Sequence, residues 1–343
     1  MEWKSKKVLI TGGAGFIGSN LAKSLIDNGA EVLILDNLSR KNVEKNLNWL
    51  KEISPNLQFI NADVRNIEEL EKAVEGVDVV FHEAAQVAVT DSVNDPLTDF
   101  AINAQGTLNL LEAVRKISPN AIFVYASTNK VYGGLEYLDV AEDGDRYKFE
   151  DNRFQKGVSE HVNLDFHSPY GCSKGSADQY VRDYARIYGM KTIVFRQSCI
   201  YGPRQWGTED QGWVFHFIKE AYFGNKLKIY GDGKQVRDLL YIGDLIKCYE
   251  MAIENIENTR GGVYNVGGGL QNSVSLLQAI SIINGLLDKQ IEYDFHDWRP
   301  GDQKVFISDN SKANSEFGWK PETDVKLGFQ NMLKWVKEID QIK

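Results

Sequence analysis

Val8-Leu9-Ile10-Thr11-Gly12-Gly13-Ala14-Gly15-Phe16-Ile17-Gly18-Ser19-Asn20-Leu21 decides the fold. Four residues of apolar strand pass without a spacer into a glycine cluster, and the cluster opens a helix that runs from Phe16 to Asn28 and stops at Gly29. The glycines read as Gly-x-Gly-x-x-Gly from Gly13 or as Gly-x-x-Gly-x-x-Gly from Gly12. A side chain there would block the tight turn and hold a pyrophosphate away from the backbone. The helix start supplies free N–H groups and a partial positive charge, which suit phosphates. Gly12, Gly15, Phe16 and Ile17 are the expected phosphate-side residues.

Glu31–Asp36 reads as the next strand, and Asp36 lies 21 residues beyond Gly15. A carboxylate at that point accepts both hydroxyls of an adenosine ribose and repels a 2′-phosphate. The pattern therefore predicts a dinucleotide, and NAD in preference to NADP, with Asn37, Ser39 and Arg40 close by. Arg40 is the one residue there that suits a 2′-phosphate.

Farther along, apolar runs alternate with helical periodicity. Helices are expected at 42–53, 67–74 and 96–117, and strands at 57–63, 78–85 and 121–127. Strands apolar on both faces and separated by helices imply right-handed crossovers and a parallel sheet. The fold class is α/β, a Rossmann-like doubly wound parallel sheet, which binds ligands at the carboxyl ends of its strands. Residues 135–167 break the rhythm with an acidic, aperiodic stretch, and a loop that long is functional or mobile. A helix at 170–188 and a strand at 191–198 resume it. The expected division is a dinucleotide-binding domain over 1–198, rejoined by 237–268. A smaller α/β substrate-binding region takes 199–236 and 269–343, where shorter elements and aromatics dominate.

Composition excludes other classes. With 39 Lys plus Arg against 48 Asp plus Glu, the formal charge is −9, which opposes a sequence-independent grip on nucleic acid. Cys172, Cys199 and Cys248 are far apart with no metal-ligand spacing, so no metal is expected and the thiols read as reduced. No apolar run reaches the roughly 20 residues that span a bilayer, so no membrane is expected. Met1-Glu2-Trp3-Lys4-Ser5-Lys6-Lys7 has no apolar stretch with a cleavage site, so the expected compartment is cytoplasmic.

Three Tyr-x-x-x-Lys pairs occur, at Tyr170/Lys174, Tyr222/Lys226 and Tyr230/Lys234. Only the first opens the helix that follows the fifth strand of the parallel sheet. Spacing i, i+4 places both side chains on one helix face. An ammonium and a nicotinamide cation beside a phenol stabilise its phenolate and lower its pKa from about 10 toward neutrality. The phenolate is then a general base for a sugar hydroxyl. Ser127-Thr128 ends the fifth strand and offers a hydroxyl to the same crevice.

With these residues in place, the chain resembles the extended short-chain dehydrogenases/reductases, in the branch that acts on nucleotide sugars. The likeness spans nearly the whole length: Thr11 through Gly18, Asp36-Asn37-Leu38-Ser39, Asp63-Val64, His82-Glu83-Ala84-Ala85, Asn103, Thr128 through Gly133, Tyr170/Lys174, Tyr201-Gly202-Pro203, Val236-Arg237-Asp238 and Arg299-Pro300-Gly301-Asp302. Residues 127–133, 164–175, 210–214 and 233–238, with the long segment before Tyr170, are most similar to the CDP-sugar 2-epimerases. The resemblance implies Thr128 as hydroxyl partner, Tyr170 as base, and Lys174 as activator and ribose ligand. It implies dinucleotide contacts at Asp63, Val64, Ala84, Ala85, Gln86, Asn103 and Ser127. Substrate contacts fall to Gln86, Thr128, Gln197, Gln211, Arg237, Arg299 and Asp302, the two arginines holding the diphosphate. Glu83, where the family has an apolar residue, and the polar Gln197 depart from the pattern.

Related 4,6-dehydratases carry Asp-Glu after the catalytic Thr, whereas Asn129-Lys130 stands here. The implied reaction is epimerisation through transient oxidation by a tightly bound NAD. The implied substrate is a CDP-sugar, CDP-paratose giving CDP-tyvelose at C2. A UDP- or dTDP-sugar 4-epimerase is the alternative, and a catalytically silent cofactor-binding protein a third reading, opposed by the intact Thr128, Tyr170 and Lys174. The resemblance also implies a homodimer or homotetramer, paired through the helices at 96–117 and 170–188.

Overall fold

The structure, a computed structural model, describes residues 2–299 and 302–341. Pro300 and Gly301, of the Arg299–Asp302 motif, lie outside the described residues.

Seven parallel strands form the central sheet. From one edge to the other they are Gly262–Val266, Lys191–Gln197, Ile122–Thr128, Val79–His82, Lys7–Thr11, Glu31–Leu35 and Gln58–Ile60. The order reverses between Lys7–Thr11 and Val79–His82, and the crevice at such a reversal is where a doubly wound sheet takes its ligand. Alternate residues of one strand enter different cores. Val8 and Ile10 pack with Leu21, Phe81 and Tyr249 on one face, while Leu9 packs with Leu33, Leu110, Phe123 and Ala177 on the other. Double-sided burial is why these strands read as unbroken apolar runs.

The helix expected over 96–117 is divided. Pro96–Phe100 and Gly106–Ile117 are α-helical, and a π-helical turn, Ala101–Gln105, joins them. The turn swings Asn103 inward, with the consequence described below. The helix at Ser168–Tyr188 starts with Pro169 in its first turn, where a missing N–H costs nothing, and ends at left-handed Gly189 (φ +67°), whose N–H returns to the Ala185 carbonyl.

A second sheet lies beyond the carboxyl ends of the first. Val236–Tyr241 is its centre, antiparallel to Ser273–Ser275 and parallel to Val305–Phe306 and Cys199–Tyr201. Residues 237–268 therefore divide between the sheets: Gly262–Val266 rejoins the large one, whereas residues 236–241 stay in the small one. Its own core gathers Tyr201, Phe215, Ile229, Ile283, Phe329 and Trp335.

Residues 135–167 are neither loose nor structureless. They hold an antiparallel hairpin, Val140–Asp143 with Arg146–Phe149, and their Leu135, Leu138 and Val158 share a core with Val131, Tyr132 and Phe306. Short strands with charged outward faces hide this apolar minority from a periodicity reading. Arg146 bonds Ser273, the Tyr147 hydroxyl donates to Asp232 (2.5 Å), and Glu160 accepts the Asn265 N–H (2.7 Å). The segment thus joins the small sheet to the last strand of the large one. No described helix is long and apolar enough to cross a membrane.

Candidate active site

A cavity of about 300 Å³ opens at the reversal point, lined by the glycine loop, Asp36, Asn37, Ser39, Arg40, Asp63, Val64, Ala84, Ala85 and Gln86. Gly12 is left-handed (φ +68°), and a Cβ on it would lie 2.6 Å from the Ala84 nitrogen. Glycine alone brings the two strand ends this close. The helix at Phe16–Asp27 begins at Gly15 with no side chain capping it, so its first N–H groups face the cavity open to a ligand.

Asp36 accepts the Ala14 N–H (3.0 Å) on one oxygen and the Leu38 N–H (2.8 Å) on the other. Burial raises its carboxyl pKa and those two bonds pull it back. Asn37 donates to Asp63 (2.8 Å), whose carboxyl the Arg65 guanidinium holds down at about 2. The Gln86 N–H donates to the Asn103 side chain (2.9 Å), which returns a bond to the Gln86 carbonyl (3.0 Å). The Gln86 side-chain oxygen is buried with no partner. Uncapped amides, a ribose-height carboxylate and an orphaned amide oxygen fit a dinucleotide.

Thr128 ends the strand Ile122–Thr128 and bonds the Tyr170 phenol. Tyr170 and Lys174 are 8% and 3% exposed. Lys174 Nζ donates to the Ala126 carbonyl (2.6 Å) and lies over the Tyr125 ring (4.3 Å from its centre). Burial lowers the ammonium to about 8, while Glu83, Asp178 and Asp99 oppose the fall. The Tyr170 phenol differs from the expected acidified base. Burial pushes it up to about 12, and Thr128 and Arg40 lower it only in part. The remaining acidification calls for a cation in the cavity itself.

The other Tyr-x-x-x-Lys pairs are tied up elsewhere. Lys226 pairs with Asp294, Tyr230 donates to Glu209, and Lys234 bonds Glu142.

Several expected contacts change place. Asn103 fastens the Gln86 backbone to Asp99 and Ser173 (3.0 and 3.1 Å), so it shapes the cavity from behind. The Ser127 hydroxyl turns away to Asp178 (2.8 Å). Gln211 lines the dinucleotide cavity and bonds Arg40, while its neighbour Asp210 pairs with Arg299. The Gln197 amide donates to the Tyr249 hydroxyl (2.5 Å), which in turn donates to Glu83 (2.8 Å). The two departures from the family pattern therefore meet at one phenol beneath the strand ends. Glu83 lines the cavity, and the protein around it pushes its carboxyl up to about 7. Periodicity carried no trace of this link, because Tyr249 comes from a distant helix, Ile242–Glu254.

Across the crevice, Arg237 pairs with Asp302 (2.5 Å). Arg299 pairs with Asp210 (3.0 Å) and stacks on Tyr230 (4.1 Å). Sequence reasoning also missed the buried pair under the helix that carries Tyr170. Arg196 meets Asp178 through two bonds of 2.9 Å, and Tyr132 donates to Asn265 (2.7 Å) while accepting from Arg196 (3.0 Å). An Arg in an apolar strand was the available signal.

Residues 9–332 match the family model for GDP-mannose 4,6 dehydratase. The chain is 44% identical over 340 residues to CDP-paratose 2-epimerase of Salmonella typhi, covering 97% of this chain and 100% of that protein. UDP-glucuronic acid 4-epimerase from Bacillus cereus, solved with UDP-glucuronic acid and NAD, superposes with a TM-score of 0.83 at 31% identity, covering 97% of this chain and 99% of that one. DesIV, a dTDP-glucose 4,6-dehydratase from Streptomyces venezuelae solved with NAD and TYD, gives 0.84 at 27% identity, covering 98% of each chain.

Proposed function

The chain belongs to the GDP-mannose 4,6-dehydratase family of extended short-chain dehydrogenases/reductases, and from that membership we propose that it is an NAD-dependent nucleotide-sugar epimerase that converts CDP-paratose to CDP-tyvelose at C2. One observation carries epimerisation over dehydration: an amide and an ammonium, Asn129 and Lys130, follow Thr128 where a dehydratase of this family has a carboxyl pair to expel water. The 44% identity to a CDP-paratose 2-epimerase along its full length supports C2 and the CDP-sugar. A net dehydrogenase would need a thiolate for its second oxidation, and burial pushes the Cys199 thiol up to about 11 and the Cys248 thiol well above its ordinary value.

Asp36, the glycine loop and Gln86 hold the dinucleotide. NAD held there would supply a reversible hydride acceptor and a positive charge to favour the Tyr170 phenolate. Tyr170 takes the hydroxyl proton and later returns it. Thr128 fixes the reacting oxygen, and Lys174 is anchored under the strand end by the Ala126 carbonyl. The carbon is planar at the midpoint, so return of hydride to its other face inverts it.

Deuterium at C2 of CDP-paratose tests the reading. NMR should find the label retained at C2 of CDP-tyvelose without exchange into solvent. Turnover of a UDP- or dTDP-sugar at C4, with CDP-paratose untouched, would establish the 4-epimerase reading, which the Bacillus cereus likeness favours. Exposed Leu97 (81%), Phe100 (55%), Ile187 (65%) and Tyr188 (52%) lie on the helical segments expected to pair, which supports a homodimer.

A further inference from the structure

The strand that ends at Thr128 runs directly into a tight turn, Asn129–Tyr132, and the Lys130 N–H donates to Thr128 Oγ1 (3.2 Å). The turn is held on both sides. Gln303 donates to the Gly133 carbonyl (2.6 Å), and the Lys130 carbonyl lies against the Tyr170 helix, 3.4 Å from where a Cβ on Gly171 would sit. Lys130 thus starts beside the hydroxyl that marks the reacting oxygen. Its ammonium faces Arg237 from the small sheet and Asp302 from the segment leading to Val305, and these are the charged groups that act on it. Asp302 is committed to Arg237 (2.5 Å), and no acceptor among the described residues bonds Lys130 Nζ. Burial and Arg237 lower the ammonium to about 8, with Asp302 resisting. The residue is half-buried and its ammonium is not among the sealed, unpaired polar atoms, so it stands open to a ligand.

The position of this cation bears on which sugar carbon reacts. A nucleotide sugar carries its diphosphate on C1. C2 is the adjacent carbon, whereas C4 lies across the ring. A side chain rooted next to Thr128 and directed at Arg237 reaches both the reacting hydroxyl and the phosphate only when the two sit on neighbouring carbons. We propose that Lys130 is a specificity-determining residue that selects C2, its ammonium binding the sugar-linked phosphate while Thr128 holds the hydroxyl on the adjacent carbon. The inference rests on the epimerase reading above.

The test uses the purified holoenzyme and calorimetric titration with CDP across pH 6.5–9.5. Wild-type affinity should fall as pH rises through about 8, where the ammonium is lost. Lys130→Arg should bind CDP without that fall, because arginine stays charged. Lys130→Gln should bind roughly 10–100-fold more weakly at pH 7, the scale of one charge-assisted bond, and show no fall at higher pH. With C2-deuterated CDP-paratose at saturation, Lys130→Gln should also turn over more than tenfold slower. Equal CDP affinity and pH response in wild type and Lys130→Gln would overturn the proposal. A wild-type enzyme that ignores CDP but binds UDP would instead overturn the CDP-sugar reading, and the same three proteins titrated with UDP would still decide the role of Lys130.

Discussion

Replacing Asp178 by Asn should cost about 4 kcal/mol of stability. The carboxylate is fully buried and Arg196 is 3% exposed. Asp178 accepts two bonds from Arg196, one from Ser127 (2.8 Å) and one from Gln179 (2.8 Å). Adding these at about 1.5–3 kcal/mol each overshoots, because the unfolded groups bond water. What remains after the change is a buried guanidinium without a counter-charge, and breaking one side of such a pair costs about 3–5 kcal/mol. That is a large part of the roughly 5–15 kcal/mol that holds a domain folded. Urea unfolding followed by circular dichroism gives the loss. The double variant Asp178→Leu with Arg196→Met removes both charges, and it should be no less stable than Asp178→Asn alone. A loss below about 1 kcal/mol for Asp178→Asn, or a double variant carrying the sum of both single losses, would refute the argument that an abandoned charge dominates.

Tyr170→Phe should slow epimerisation by roughly 10²–10⁴-fold while the protein keeps its dinucleotide, measured by NMR turnover and by absorbance of the cofactor released on denaturation; a drop under tenfold would remove Tyr170 as the base. Glu83→Gln should change how stability depends on pH. The folded carboxyl ionises at about 7 against an ordinary 4.5, so the fold holds this proton more tightly, and the resulting stability is present below 4.5 and lost as pH rises through 7. The variant keeps an acceptor for Tyr249 and has no such loss. Relative to wild type it should gain at most about 3 kcal/mol between pH 4.5 and 7.5, and a constant difference across that window, measured by urea unfolding, would contradict the assignment.

The parts of the fold visible in the sequence are those set by short-range rules. The glycine loop, Asp36 and the apolar strands each carry their instruction within a few residues, and Tyr170/Lys174 needed only the count of strands before it. The failures share a long-range cause. The π-helical turn at 101–105 exists because Asn103 finds partners on Gln86 and Ser173, the latter 70 residues away. Gln211 lines the cavity through a bond to Arg40, 171 residues distant, which no local pattern announces. Ser127 and Gln197 entered the expected site through the family resemblance alone. In the structure Ser127 turns to Asp178, and Gln197, in register with Thr128 on the neighbouring strand, is taken up by Tyr249, partners that no local pattern announces.

The hairpin segment 135–167 also governs how the molecule can move. It is stitched to Ser273 and Asp232 on one side and to Asn265 on the other. Swinging the halves apart would tear those stitches together, so the crevice keeps a fixed gauge through a catalytic cycle. Under the proposed epimerase reading, a flattened sugar presenting its second face would have to turn within that gauge, with its nucleotide as the pivot. On the same reading, shortening the strap would loosen that gauge and let a half-finished sugar escape.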